Sequence, residues 1–140
     1  MEELIAFTQP LKLLFVEDDD FLRETTASFF EDAFDYVVTA INGVDGLEKF
    51  QNESFDLVIT DITMPKMDGI GLLRNIRETG SQVPVIMLTA HNDLSYLMNT
   101  AEQGVHGYIM KPLQLESFTE IMLRLRDTIA IDEQKKHQPA

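Results

Sequence analysis

Residues 13–20 read LLFVEDDD, four apolar residues running directly into four acids. Carboxylates this close repel one another and raise one another's pKa, so they suit the end of a buried strand only if a cation sits among them. The same short apolar runs recur along the chain. Residues 12–16, 36–41, 56–60, 84–88 and 107–110 look like strands, and four of these runs are apolar almost throughout, as strands covered on both faces of a parallel sheet must be. Helical spacing lies between them at 20–33, 44–51, 70–78 and 93–103, and after them at 115–129. The first of these helices carries Leu22, Thr26, Phe29 and Ala33 on one face, and the last carries Phe118, Ile121, Met122, Leu125 and Ile129. Five strand–helix units in succession imply an α/β fold, a doubly wound parallel sheet with right-handed crossovers. Residues 1–10 read as a tail and 131–140 as a tail or the start of a linker, leaving 11–130 as one domain.

Composition narrows the function classes. A chain of 140 residues is long enough for a single core. With 24 acidic residues against 11 basic and a formal charge of −13, it repels phosphate backbones and anionic lipid, so neither direct nucleic-acid binding nor membrane binding is expected. There are no cysteines, hence no disulfide framework and no thiolate metal site. The opening MEELIAFTQP lacks the basic and apolar regions of a signal peptide, and no apolar run approaches ~20 residues. A soluble, cytoplasmic protein is expected.

In a doubly wound sheet, sites form beyond the carboxyl ends of the strands, where strand order reverses. The first strand ends at Glu17 and Asp18, the third at Asp61, the fourth at Thr89 and the fifth at Lys111. Two or three carboxylates at one place call for a hard divalent cation, and Mg²⁺ takes one or two carboxylates together with waters and phosphate oxygens. A carboxylate also serves as nucleophile in enzymes that form an aspartyl phosphate. A lysine and a threonine hydroxyl opposite it suit the oxygens of a transferred phosphoryl group. Taken singly, each residue has a plainer reading. Asp19 and Asp20 suit a helix start, DITMPKMDG at 61–69 is a loop with turn residues Pro65 and Asp68-Gly69, Thr89 is a strand-end hydroxyl, and Lys111 before Pro112 is a solvated turn. Their joint placement at successive strand ends is what points to phosphoryl chemistry.

The motifs VEDD (16–19), ITDITMPKMDG (59–69), MLTA (87–90) and GYIMKP (107–112) together resemble those of CheY-like response regulator receiver domains, the phosphorylation-controlled modules of two-component signalling, over residues 11–130. The resemblance implies a flavodoxin-like five-stranded sheet of order 2-1-3-4-5 with five helices. It implies that Asp61 accepts a phosphoryl group from the phosphohistidine of a sensor histidine kinase or phosphotransfer protein. Asp18, Asp61 and the backbone carbonyl of Thr63 would bind Mg²⁺, with Glu17, where many relatives have Asp, acting through water. Lys111 would hold the phosphoryl group, Thr89 would turn toward it, and Tyr108 would change rotamer in step. The Lys111–Pro112 bond is expected to be cis, and Thr63 and His91 occupy positions that tune phosphoryl lifetime. Such a protein assists its own phosphorylation and dephosphorylation and is not an enzyme in the ordinary sense.

The resemblance also places the output surface on the fourth helix, fifth strand and fifth helix, facing a second copy or a downstream effector. On 93–103, Leu94, Leu97, Met98 and Ala101 form the core stripe and Tyr96 points outward; on the last helix Leu123 and Ala130 fall off the stripe. Two other classes fit less well. A Mg²⁺-dependent phosphohydrolase uses a DxD pair, but the second acid's place is taken by Thr63. A flavodoxin-like electron carrier needs a phosphate-binding loop after the first strand, where this chain has EDDD.

Overall fold

Five parallel strands, β1 (Lys12–Val16), β2 (Tyr36–Ala40), β3 (Leu57–Asp61), β4 (Val85–Thr89) and β5 (Gly107–Met110), form one sheet in the order β2-β1-β3-β4-β5. The computed structural model describes residues 2–90 and 104–136, with side chains described as far as residue 128. The expected sheet and strand order are therefore found. The inner strands β1, β3 and β4 are buried almost completely, whereas the edge strands β2 and β5 are half-exposed. This is why the apolar runs are longest in the middle of the sheet.

Side-chain alternation splits the core into two layers. On one face Leu13, Phe15, Ile59, Ile86, Leu88 and Ile109 pack with Ala27 and Phe30 of α2 (Asp20–Ala33) and with Phe118, Ile121, Met122 and Leu125 of α5 (Leu115–Lys136). On the other, Leu14, Val16, Val58, Val85 and Met87 pack with Leu72, Leu73 and Ile76 of α4 (Gly69–Glu78), and Leu47 and Phe50 of α3 (Gly43–Asn52) close the layer. Phe15, Phe29, Phe30, Phe34 and Phe118 meet largely edge to face, with Phe15 and Phe30 at 5.0 Å and Phe29 and Phe118 at 5.3 Å. Each such pair contributes about 0.5–1.5 kcal/mol beyond its burial.

Three expectations need correction. The first ten residues, expected as a tail, include helix α1 (Glu2–Thr8), which packs along α5. It is too short for its period to be read and is held from outside: Leu4 is buried, the Thr8 hydroxyl donates to the Ala33 carbonyl at 2.7 Å, and the Asp35 N–H donates to the Gln9 carbonyl at 3.0 Å. On α2 the buried face centres on Ala27 and Phe30, not on Leu22, which lies in the first turn and stays exposed. Leu123, expected off the stripe, is half-buried against the same core, which α1 extends along α5. The expected helix at 93–103, with Leu94, Tyr96, Leu97, Met98 and Ala101, lies outside the described residues, as do His91 and the side chains of Ile129 and Ala130. No helix among the described residues is long and apolar enough to cross a membrane.

Candidate functional site

Strand register decides which residues face one another at the carboxyl edge of the sheet. Val16 pairs with Thr60, so Glu17 and Asp61 follow side by side; Thr89 pairs with Met110, so Lys111 follows one step beyond. The Lys111 N–H donates to the Thr89 carbonyl at 2.7 Å, and the Lys111–Pro112 bond is cis. The four acids at 17–20 divide their work. Asp19 caps α2, its side chain accepting the Leu22 N–H at 2.9 Å, and Asp20 pairs with Arg23 at 2.6 Å. Glu17 is buried at the sheet edge and accepts the Asp19 N–H at 3.2 Å, while Asp18 is exposed at the mouth.

Asp61 ends β3 and is only 3% exposed. The loop after it is pinned from two helix starts. The Gly69 N–H donates to the Ile62 carbonyl at 2.7 Å and the Gly43 N–H to the Met67 carbonyl at 3.0 Å, while Asp68 caps α4 through the Gly71 N–H at 2.8 Å. Thr63, two residues past Asp61, is exposed on this loop.

Charge at the site is unbalanced. The Lys111 ammonium pairs with Glu17 at 3.3 Å and with Asp61 Oδ1, yet Glu17, Asp18 and Asp61 each present an oxygen within 4.8 Å of the others. One ammonium thus faces three carboxylates. Buried Oδ1 of Asp61, although ion-paired, has no aligned hydrogen-bond donor. Burial first, and then the neighbouring Glu17, push the Asp61 carboxyl up to about 8 against the opposing pull of Lys111. Asp18 is likewise raised by burial and by Glu17. Burial acts to raise Glu17 as well, but contacts with Asp61, the Asp19 N–H and Lys111 outweigh it and hold Glu17 below its ordinary value. Burial acts to lower Lys111, and Asp61 and Glu17 reverse this, so it stays an ammonium. An all-oxygen donor set and an excess of negative charge fit a hard divalent cation.

Of the remaining sequence-predicted residues, Thr89 ends β4 and Tyr108 lies on β5, the strands that lead to this edge. Thr89 is fully buried and its hydroxyl donates to Met110 Sδ at 3.0 Å. Tyr108 is half-buried against the α3–α4 layer. A cleft of ≈ 500 Å³ lined by Glu17, Leu22, Phe29, Lys111 and Leu113 opens beside the acids. Two participants escaped sequence reasoning. Arg23 donates to the Glu17 carbonyl at 3.0 Å, and its place six residues on gave only a weak signal. Met110 reads as an ordinary strand residue until the register is known.

The sequence matches the response regulator receiver domain family over residues 13–123. The chain belongs to this family. The receiver is 34% identical to the chemotaxis protein CheY of Bacillus subtilis (strain 168), with 78% of this chain and 92% of that one covered. It is 32% identical to the probable C4-dicarboxylate response regulator DctR of Priestia megaterium over 89% of this chain and 56% of the relative. It superposes on a response regulator receiver domain protein of Clostridium thermocellum with a TM-score of 0.77 at 29% identity, covering 92% of this chain and 100% of that one. The chain spans about half the length of DctR and of the DltR transcriptional regulatory proteins that it also matches, at 56% and 54%. Receivers of this family are signalling phosphoacceptors, not enzymes in the ordinary sense, and histidine kinases phosphorylate them. The Glu17, Asp18 and Asp61 pocket is consistent with such a phosphoacceptor site.

Proposed function

We propose that Asp61 is the phosphoacceptor and that the protein switches a partner-binding surface when Asp61 is phosphorylated. The observation that carries this is the placement of Asp61, buried at the end of β3 with Lys111 against one oxygen and Glu17 beside it. An oxygen of Asp61 attacks the phosphorus of a phosphohistidine on a kinase or phosphotransfer protein. The new O–P bond forms as the P–N bond breaks and the imidazole leaves. Lys111, already an ammonium in the pocket, moves its ion pair from the Asp61 carboxylate to the phosphoryl oxygens. Asp18, Asp61 and the Thr63 carbonyl would hold Mg²⁺, with Glu17 acting through water, and the ion would supply positive charge against the phosphoryl oxygens.

Thr89, at the end of β4, turns toward the phosphoryl group, and Tyr108 fills the space it leaves. Phosphorylation adds about −1.5 to −2 of charge and biases a two-state surface rather than creating one. That surface comprises β5, α5 and the expected helix at 93–103, and its occupant is a second copy or a downstream effector in the cytoplasm. Thr63 and His91 tune phosphoryl lifetime; His91→Ala is expected to shorten it a few-fold, read as phosphoryl loss over time in excess Mg²⁺. The test of the proposal is labelling by acetyl phosphate in Mg²⁺. Acid-stable, base-labile modification elsewhere than Asp61 contradicts it.

A further inference from the structure

The Thr89 hydroxyl has a partner, Met110, to which the family resemblance assigns no role. Thr89 and Met110 are direct cross-strand partners at the last rung of the β4–β5 ladder. Their side chains lie on the same sheet face as Met87 and Tyr108, whose own rung is Met87 with Tyr108. Thr89 is fully buried, and its hydroxyl donates to the Met110 thioether sulfur at 3.0 Å. Met110 also sits between Tyr108 and Lys111 in sequence. A thioether is a weak acceptor. It satisfies a buried hydroxyl at rest, and it releases that hydroxyl readily when a charged oxygen competes.

We propose that Met110 is a positioning residue that holds Thr89 in the resting orientation and so sets how readily the site commits to a phosphoryl group. This rests on the role of Thr89 given above and adds what opposes it. A charge-assisted bond to a phosphoryl oxygen is roughly twice as strong as a neutral one, so the hydroxyl leaves sulfur only when the phosphoryl group is present. A stronger acceptor at 110 would trap Thr89; an apolar residue of the same size would leave its hydroxyl unsatisfied at rest.

The probe is beryllofluoride, a tetrahedral phosphoryl mimic, titrated in saturating Mg²⁺ and followed by NMR. Met110→Leu removes the acceptor at constant volume and is expected to tighten binding by about two- to tenfold. Met110→Gln places an amide oxygen there and is expected to weaken it. Both effects should vanish in a Thr89→Val background, which itself should bind the mimic more weakly than wild type. Shifts of Met110→Leu and Met110→Gln in the same direction, or effects that persist without the Thr89 hydroxyl, overturn the assignment of Met110 alone. Undiminished binding by Thr89→Val itself would remove the role of Thr89 and this proposal with it.

Discussion

Gly69 lies directly against the backbone of Asp61: a methyl group on its Cα would sit 2.1 Å from the Asp61 carbonyl oxygen. Its own N–H is bonded to the Ile62 carbonyl at 2.7 Å. The start of α4 can therefore approach the end of β3 only because residue 69 has no side chain. Gly69→Ala is expected to push the Asp61–Ile62 backbone away, with a loss of stability of about 1–3 kcal/mol. Labelling of Asp61 should fall with it. A denaturation midpoint and labelling rate both equal to wild type would show that the close approach is not needed.

Lys66 has φ 69° within a turn closed by the Met67 N–H on the Pro65 carbonyl at 2.9 Å. A side chain in this left-handed region is strained. Lys66→Gly should relieve the strain, partly offset by the greater freedom of glycine in the unfolded chain, for a net gain of about 0.5–1 kcal/mol. Urea denaturation measures it, and a lower midpoint would contradict it.

Much of this arrangement was legible in the sequence because each strand carried its own stop signal. The acids after Val16, Asp61 after Thr60 and Lys111 before Pro112 sit where strand periodicity ends, and the fold brings successive strand ends to one edge. Helix α1 was not legible, since a seven-residue helix has no period to detect and is held by Leu4 and Thr8 against partners far along the chain. Leu22 misled because helical spacing says which residues share a face but not how far the sheet extends beneath it. Met110 was silent for a different reason: its partner is fixed by strand register, which single-residue signals do not carry.

The Asp61 carboxyl makes metal binding and stability depend on pH together. Its ordinary value is 3.8 and the fold raises it to about 8, so the folded protein keeps a proton that the unfolded chain has lost. The stability this proton provides is complete below the ordinary value and is lost as pH rises toward about 8. Glu17, held below its ordinary value, works the other way and matters only at lower pH. Without metal, the melting temperature should fall as pH rises from the ordinary value of 3.8 toward about 8 and level off above it, and Mg²⁺ should restore more stability at the upper end, because binding displaces the proton. Melts with and without Mg²⁺ across this range check it. A Mg²⁺ increment independent of pH would mean that Asp61 is not a ligand.

Asp61 is the proposed carrier of the phosphoryl group. The direct measurement is mass spectrometry of the protein after incubation with acetyl phosphate and Mg²⁺, wild type against Asp61→Asn, with circular dichroism to establish that both are folded. The expected result is one Mg²⁺-dependent phosphoryl group on the wild type, lost under base, and none on Asp61→Asn. A folded Asp61→Asn that still gains the phosphoryl group would contradict the account.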